Sequence, residues 1–332
     1  MVKIARIPLF ALALAAVAVS AAWGQSPPAP PARKPLDTVV VTGKRPPDQN
    51  LIRTVIAPFV RAHAARDRLS GLLLRQPPTG ICPVTSGLSP AFNAFVTRRI
   101  VEVAKMVGAV VQPEVKCRPN VQVLFAIDPQ GTVDALAGGA GEVMLGFHFV
   151  GERRGLVHVS RPIQAWYVTG TISDTGEENA QLIAPDGRAS PGGSVDIDDP
   201  YGQTPYAGTG SKLHPRNSSQ IVSVLIVADL NQLDGHEIGP VSDYIAMLAL
   251  SQAQSLDTCG PLPSILDLMA ADCQGRPAPQ SLTDGDIAFM KALYAADITS
   301  TGDSGLFRVE RSMAQGLGQA SAEPSPASPG SR

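Results

Sequence analysis

The chain has 332 residues, with 27 Lys and Arg against 29 Asp and Glu, four cysteines and a formal charge of −2. That near-balance gives no general electrostatic pull toward nucleic acid or anionic lipid, so a nucleic-acid partner is not expected. The length allows one large domain or two small ones with a sizeable core.

Residues 1–24 read as a secretory signal peptide: Lys3 and Arg6, an apolar run from Ile7 to about Ala22, and a small-x-small site at Ala22-Trp23-Gly24. The run is short for a spanning helix, and Pro8 and the Pro-rich sequel from Gln25 favour cleavage. Loss of Lys3 and Arg6 takes the formal charge from −2 to −4. No later segment approaches the ~20 apolar residues of a membrane span, so the mature chain is expected to be soluble and periplasmic or secreted. Residues 25–47 read as a disordered arm. Within it, Leu36–Arg45, "LDTVVVTGKR", resembles the segment before the plug of TonB-dependent outer-membrane receptors. The resemblance spans about ten residues, and the alternating strands of a barrel are missing. A short edge strand or extended arm is the plainer reading.

Cys82, Cys117, Cys259 and Cys273 fit an oxidising compartment. Three pairings are possible, of which Cys82–Cys117 with Cys259–Cys273 closes the shortest loops. There is no C-x-x-C.

Along the chain, apolar residues at Leu51, Ile52, Val55, Ile56, Phe59 and Val60 predict a helix that Pro58 kinks or restarts. A second helix follows, with Ser89 as N-cap, Pro90 at the first helical position, a stripe of Phe92, Phe95, Val96, Ile100, Val103 and Val107, and Gly108 closing it. Arg98, Arg99 and Lys105 read as its wet side. Asn120–Asp128 is nearly continuously apolar, as for a strand buried on both faces. "AGGAGE", Ala137–Glu142, reads as a turn. His148 and His158 are placed on facing strands of a hairpin, with Arg153 and Arg154 at its tip. Leu156–Thr171 and Gln220–Leu230 predict two more strands. The long polar segment between them contains Asp196, Asp198 and Asp199, read as solvated turn residues in preference to calcium ligands. Helices are expected at Val241–Gln252 and from Thr283 to about Ala296. The result is an α+β layered fold, a mixed β-sheet packed with helices, as a single domain over residues 48–312 with a disordered tail at 313–332.

The chemistry centres on "HEIGP", His236–Pro240. A zincin needs two histidines one helical turn apart, with the intervening glutamate as general base. Here proline holds the second ligand position, so the motif fails. The order strand, loop, helix, Met-containing turn and closing helix nevertheless resembles the catalytic half of metzincin peptidases, matrixins especially. Leu282, Thr283, Asp286, Ile287, Leu293 and Tyr294 carry the likeness in the closing helix, and "PSILDLM", Pro263–Met269, occupies the Met-turn position. That resemblance implies a zincin-like scaffold over Gln220–Asp297. It also sets Ser242, Asp243 and Ala246 where the first ligand, the base and the second ligand would stand, so both ligands are missing. The same stretch is similar to uncharacterised secreted bacterial proteins, which supply no activity.

Val241, Tyr244, Ile245 and Leu248 form a core stripe on that helix. Asp243 reads most simply as a first-turn aspartate favoured by the helix dipole, or else as a buried acid. Met247 and Met269 read as packing residues. The expected function is non-catalytic binding, or interaction with a protein or peptide of the envelope, on a degenerate metzincin-like scaffold without metal or cofactor. The arm at 25–47 is a possible recruiting segment. The alternative is a periplasmic hydrolase using the cleft above helix 241–252, with Asp243, His236 and Asp267 as candidate catalytic groups.

Overall fold

The β-branched runs pair into a mixed four-stranded sheet of order β1-β2-β4-β3. Its strands are β1 (Pro83–Ser86), β2 (Val121–Ala126), β3 (Ile163–Ser173) and β4 (Asn217–Asp229). β1, β2 and β4 run parallel, and β3 closes one edge antiparallel to β4 with a register shift between Val168 and Thr169. The computed structural model describes residues 48–66, 73–76, 79–146, 153–173, 217–253, 256, 259–270, 273, 275–296 and 303–320. The segments read as signal peptide and arm, His148, His214, the aspartates at 196, 198 and 199, and residues 321–332 lie outside these.

The sheet separates two apolar layers. On one face Val121, Val123, Phe125, Val224, Ile226 and Ala228 join the main core. The other face carries a smaller cluster of Trp166, Leu225 and Val227 under Val133, Ala137 and Leu145. Val133 and Ala137 belong to α4 (Pro129–Ala137), and Leu145 ends a 3-10 helix, Ala140–Leu145, where a turn is expected from "AGGAGE". The strand buried on both faces is therefore β4, buried from Val224 to Ala228, and not β2, where buried and half-buried residues alternate. The small second layer covers the face of β2 only in part, so its Gln122 and Leu124 keep some exposure.

The main layer is helical. α1 (Gln49–Leu51) and α2 (Ala57–His63) are joined without a break by a π-helical stretch, Ile52–Ile56. The wider turn lies just before Pro58, which has no N–H to donate and crowds the preceding turn, so the chain swells locally where a kink would otherwise form. α3 (Pro90–Val107) ends on Gly108 at φ 84°. Ser89 stands at its N-cap without a side-chain bond. Instead Asn93 bonds back to both backbone groups of Leu88, at 3.1 and 3.0 Å. α6 (Ile238–Leu250) and α7 (Asp284–Ala295) complete the core, and α8 (Asp303–Ala320) packs on α2 and α7. α8 buries Leu306, Val309, Met313 and Ala314, so ordered structure passes the boundary expected at residue 312. The helical spacing of these four residues supplies the periodicity that the Gly- and Ala-rich end conceals.

The segment from Arg153 is not a hairpin tip. It forms α5 (Arg153–Leu156), and His158 lies exposed in the loop that follows. Two disulfides are present, Cys82–Cys117 and Cys259–Cys273, the pairing with the shortest loops. Among the described residues no helix is long and apolar enough to cross a membrane.

Candidate functional site

α6 is where the sequence concentrates its chemical hints. β4 ends in a turn held by Asn231 N–H donating to Asp229 Oδ1 (2.9 Å) and His236 N–H to the Leu233 carbonyl (3.0 Å). His236 and Glu237 follow in this loop, both exposed, and Pro240 falls in the first turn of the helix. From Pro240 to Leu250 every residue is buried, because α6 runs between the sheet, α3 and the 3-10 helix Ile265–Met269. The expected stripe of Val241, Tyr244, Ile245 and Leu248 is thus only part of a helix buried on all sides.

Asp243 stands in the second turn, since the helix starts at Ile238, and is 3% exposed. A dipole-favoured first-turn residue is therefore not what it is. Arg99 on α3 clamps it with two bonds, Nε to Oδ1 at 2.5 Å and Nη2 to Oδ2 at 3.2 Å. The backbone N–H of Leu282, just before α7, adds a third bond to Oδ2 at 3.0 Å. A forked guanidinium matches a carboxylate in this way, and a buried carboxylate requires such partners. Ser242 Oγ donates to the Ile238 carbonyl at 2.6 Å, and Ala246 has no donor to offer. The three positions that the metzincin resemblance assigns to ligand, base and ligand therefore hold a satisfied hydroxyl, a clamped carboxylate and a methyl group.

The far end of α6 is sealed with equal care. Its last carbonyls have no intrahelical partner, and they are buried. Tyr167 Oη on β3 donates to the Leu248 carbonyl (2.9 Å), Gln76 Nε2 to Ala249 (2.5 Å) and Tyr294 Oη on α7 to Leu250 (2.8 Å). Burial pushes both phenols up, so they stay protonated donors at any ordinary pH. Arg75, next to Gln76, does the same for α7, with Nη1 on the carbonyls of Tyr294 (2.6 Å) and Ala296 (3.1 Å).

A second buried polar cluster lies where the Met-turn segment meets α7. Ser264 and Asp267 form a capping box on the 3-10 helix, and Thr283 and Asp286 form another on α7. The two boxes are tied together: Asp286 accepts from Ser264 Oγ (2.6 Å), Ile265 N–H (2.8 Å) and Thr283 N–H (2.9 Å). Burial nevertheless pushes the Asp286 carboxyl up against the pull of these donors. Nearby, His63 at the end of α2 donates Nδ1–H to the Phe59 carbonyl at 2.7 Å, and its ring lies against Phe59 and Phe289. Burial lowers its pKa, opposed by the Phe59 carbonyl and by the charges of Asp286 and Asp267.

The three candidate catalytic residues end in different settings: Asp243 is clamped by Arg99, His236 is exposed, and Asp267 is buried. Asp267 Oδ2 accepts the Ser264 N–H at 3.2 Å and lies 3.8 Å from Arg276 Nη2. Met247 is fully buried in the core and Met269 packs against it. Arg99 is the residue the sequence conceals, since it reads as wet side beside Arg98. Its place next to Val96, Ile100 and Val103 on α3 is the only local sign that it points inward. Gln76 and Arg75 give no sign at all, because their partners are distant in sequence. Comparisons with family models, curated proteins and solved structures return no match.

Proposed function

We propose that this is an exported, non-catalytic protein on a metzincin-like scaffold without zinc ligands, whose role is to bind a protein or peptide of the cell envelope. The reading rests on the Asp243–Arg99 clamp. A general base must reach a water or the proton it abstracts, whereas both Asp243 oxygens are taken by α3 and by the Leu282 N–H on a helix with no exposed residue from Pro240 to Leu250. The scaffold part is supported by the element order β4, α6, 3-10 helix and α7, and by the Thr283–Asp286 capping box at the position of the resemblance. Export is supported by the signal-like start and by two disulfides.

The hydrolase alternative requires Asp243, His236 or Asp267 to act on substrate. Incubating the disulfide-intact protein with a broad peptide library and a panel of esters separates the two. The expected outcome is no turnover above that of the Asp243→Asn variant. Turnover that is lost in that variant under conditions where it remains folded contradicts the proposal.

A further inference from the structure

Cys259, Cys273 and Asp267 offer one ligand atom each, and the three atoms all lie within 4.8 Å of one another. Cys273 and Asp267 are buried and Cys259 is half-buried. Sulfurs bonded to each other are not ligands, so this set becomes a donor set only when the bridge is open. We propose that on reduction Cys259, Asp267 and Cys273 form a site for a soft divalent cation such as zinc, so that the disulfide and the metal are alternative closures of one loop.

The charge balance supports this. Two thiolates and a carboxylate carry three negative charges. Arg276, whose Nη2 lies 3.8 Å from Asp267 Oδ2 and donates to the Gly260 carbonyl at 2.8 Å, offsets one of them. A divalent cation neutralises the remainder. Two thiolates and a carboxylate are donors that zinc accepts in tetrahedral sites, leaving one position to water. Asp267 is held in place independently of the bridge by its capping box with Ser264. The other bridge differs: among the described residues, Cys82 and Cys117 have no third ligating atom within the same reach.

The chemistry closes. A dithiol reductant gives two electrons and its two thiol protons to the bridge and leaves as its own disulfide. Binding of the cation then displaces both protons from the protein thiols.

The test is an anaerobic titration of the full chain with Co²⁺ after reduction by a phosphine, which leaves as its oxide. Absorption of the sulfur-to-cobalt and tetrahedral ligand-field bands is read alongside far-UV circular dichroism. The expected result is one equivalent of cobalt, bleached by Zn²⁺, in the wild type and in Cys82→Ser/Cys117→Ser. No band is expected in Cys273→Ser or in the oxidised protein, and Asp267→Asn should bind on the order of tenfold more weakly. The proposal is overturned by an unchanged band in Cys273→Ser, by unchanged affinity in Asp267→Asn, by no band in a folded reduced chain, or by helix loss on reduction that the metal does not restore.

Discussion

Arg99 and Asp243 form a two-bonded ion pair between α3 and α6. Removing the charge of Asp243 leaves a guanidinium that is 27% exposed without its main partner, and strips Leu282 N–H of a charged acceptor. Asp243→Asn should cost about 2–3 kcal/mol, less than for a fully buried pair because Arg99 keeps some solvent. A lower urea midpoint at constant m-value is the expected reading, and an unchanged midpoint would refute the clamp. His63 makes a second residue-level prediction. Folding lowers its proton affinity, so below about pH 6.5 the unfolded chain binds more protons and stability declines as pH falls. Asp286 acts in another window. Its carboxyl is raised in the fold above the 3.8 of an exposed aspartate, so its contribution is present below that pH and is lost as pH rises through the raised value. His63→Leu should flatten the loss of stability between pH 7 and the acid side. Parallel curves for variant and wild type would exclude His63 as its source.

Among the elements, α6 depends on borrowed donors at its C-terminus. Tyr294→Phe leaves the Leu250 carbonyl buried and without its phenol donor, at a cost of about 1–2 kcal/mol. Thermal unfolding checks this, and an unchanged unfolding temperature would contradict it. The β1–α3 junction depends on Gly87. Its φ is 97°, and a Cβ there would run into the Phe125 carbonyl on the neighbouring strand. Gly87→Ala should therefore cost at least about 2 kcal/mol, from strain and clash together. A fully stable variant would mean that β1 does not approach β2 as described.

These elements also explain what the sequence discloses. α3 and α7 are legible because their start and stop signals are local: Pro90 and Gly108 for one, the Thr283–Asp286 box for the other. α6 is legible as a helix, yet its environment is not, because an apolar stripe with Ser242 and Asp243 beside it looks the same whether the polar pair faces water or Arg99. The π-helical stretch before Pro58 is a local response to a ring, visible in sequence only as a kink. β2 and β4 are both apolar runs, and which of them is covered on both faces depends on where α4 and β3 settle.

At the scale of the whole molecule, two disulfides close the sheet edge and the loop under α7. The Cys82–Cys117 loop spans 35 residues and the Cys259–Cys273 loop 14. In the chain-entropy account they stabilise by roughly 4 and 3 kcal/mol. Cys82→Ala/Cys117→Ala should lower the unfolding temperature more than Cys259→Ala/Cys273→Ala, and the opposite order would show that native packing outweighs loop closure here. β2, β4 and the helices α2, α3, α6 and α7 were accessible from periodicity, and the two bridges are the shortest-loop pairing of the three that the cysteines allow, whereas β1, α5 and the end of α8 were not foreseen. Nor was the long-range clamp on Asp243, since no spacing rule connects positions 99 and 243.

The decisive measurement is calorimetric titration of Zn²⁺ into the protein with both disulfides intact, followed by assay of peptide cleavage. A helix sealed on every side by Arg99, Leu282 and its neighbours predicts no stoichiometric binding and no cleavage. One-to-one binding that brings chelator-sensitive cleavage of peptides would contradict it.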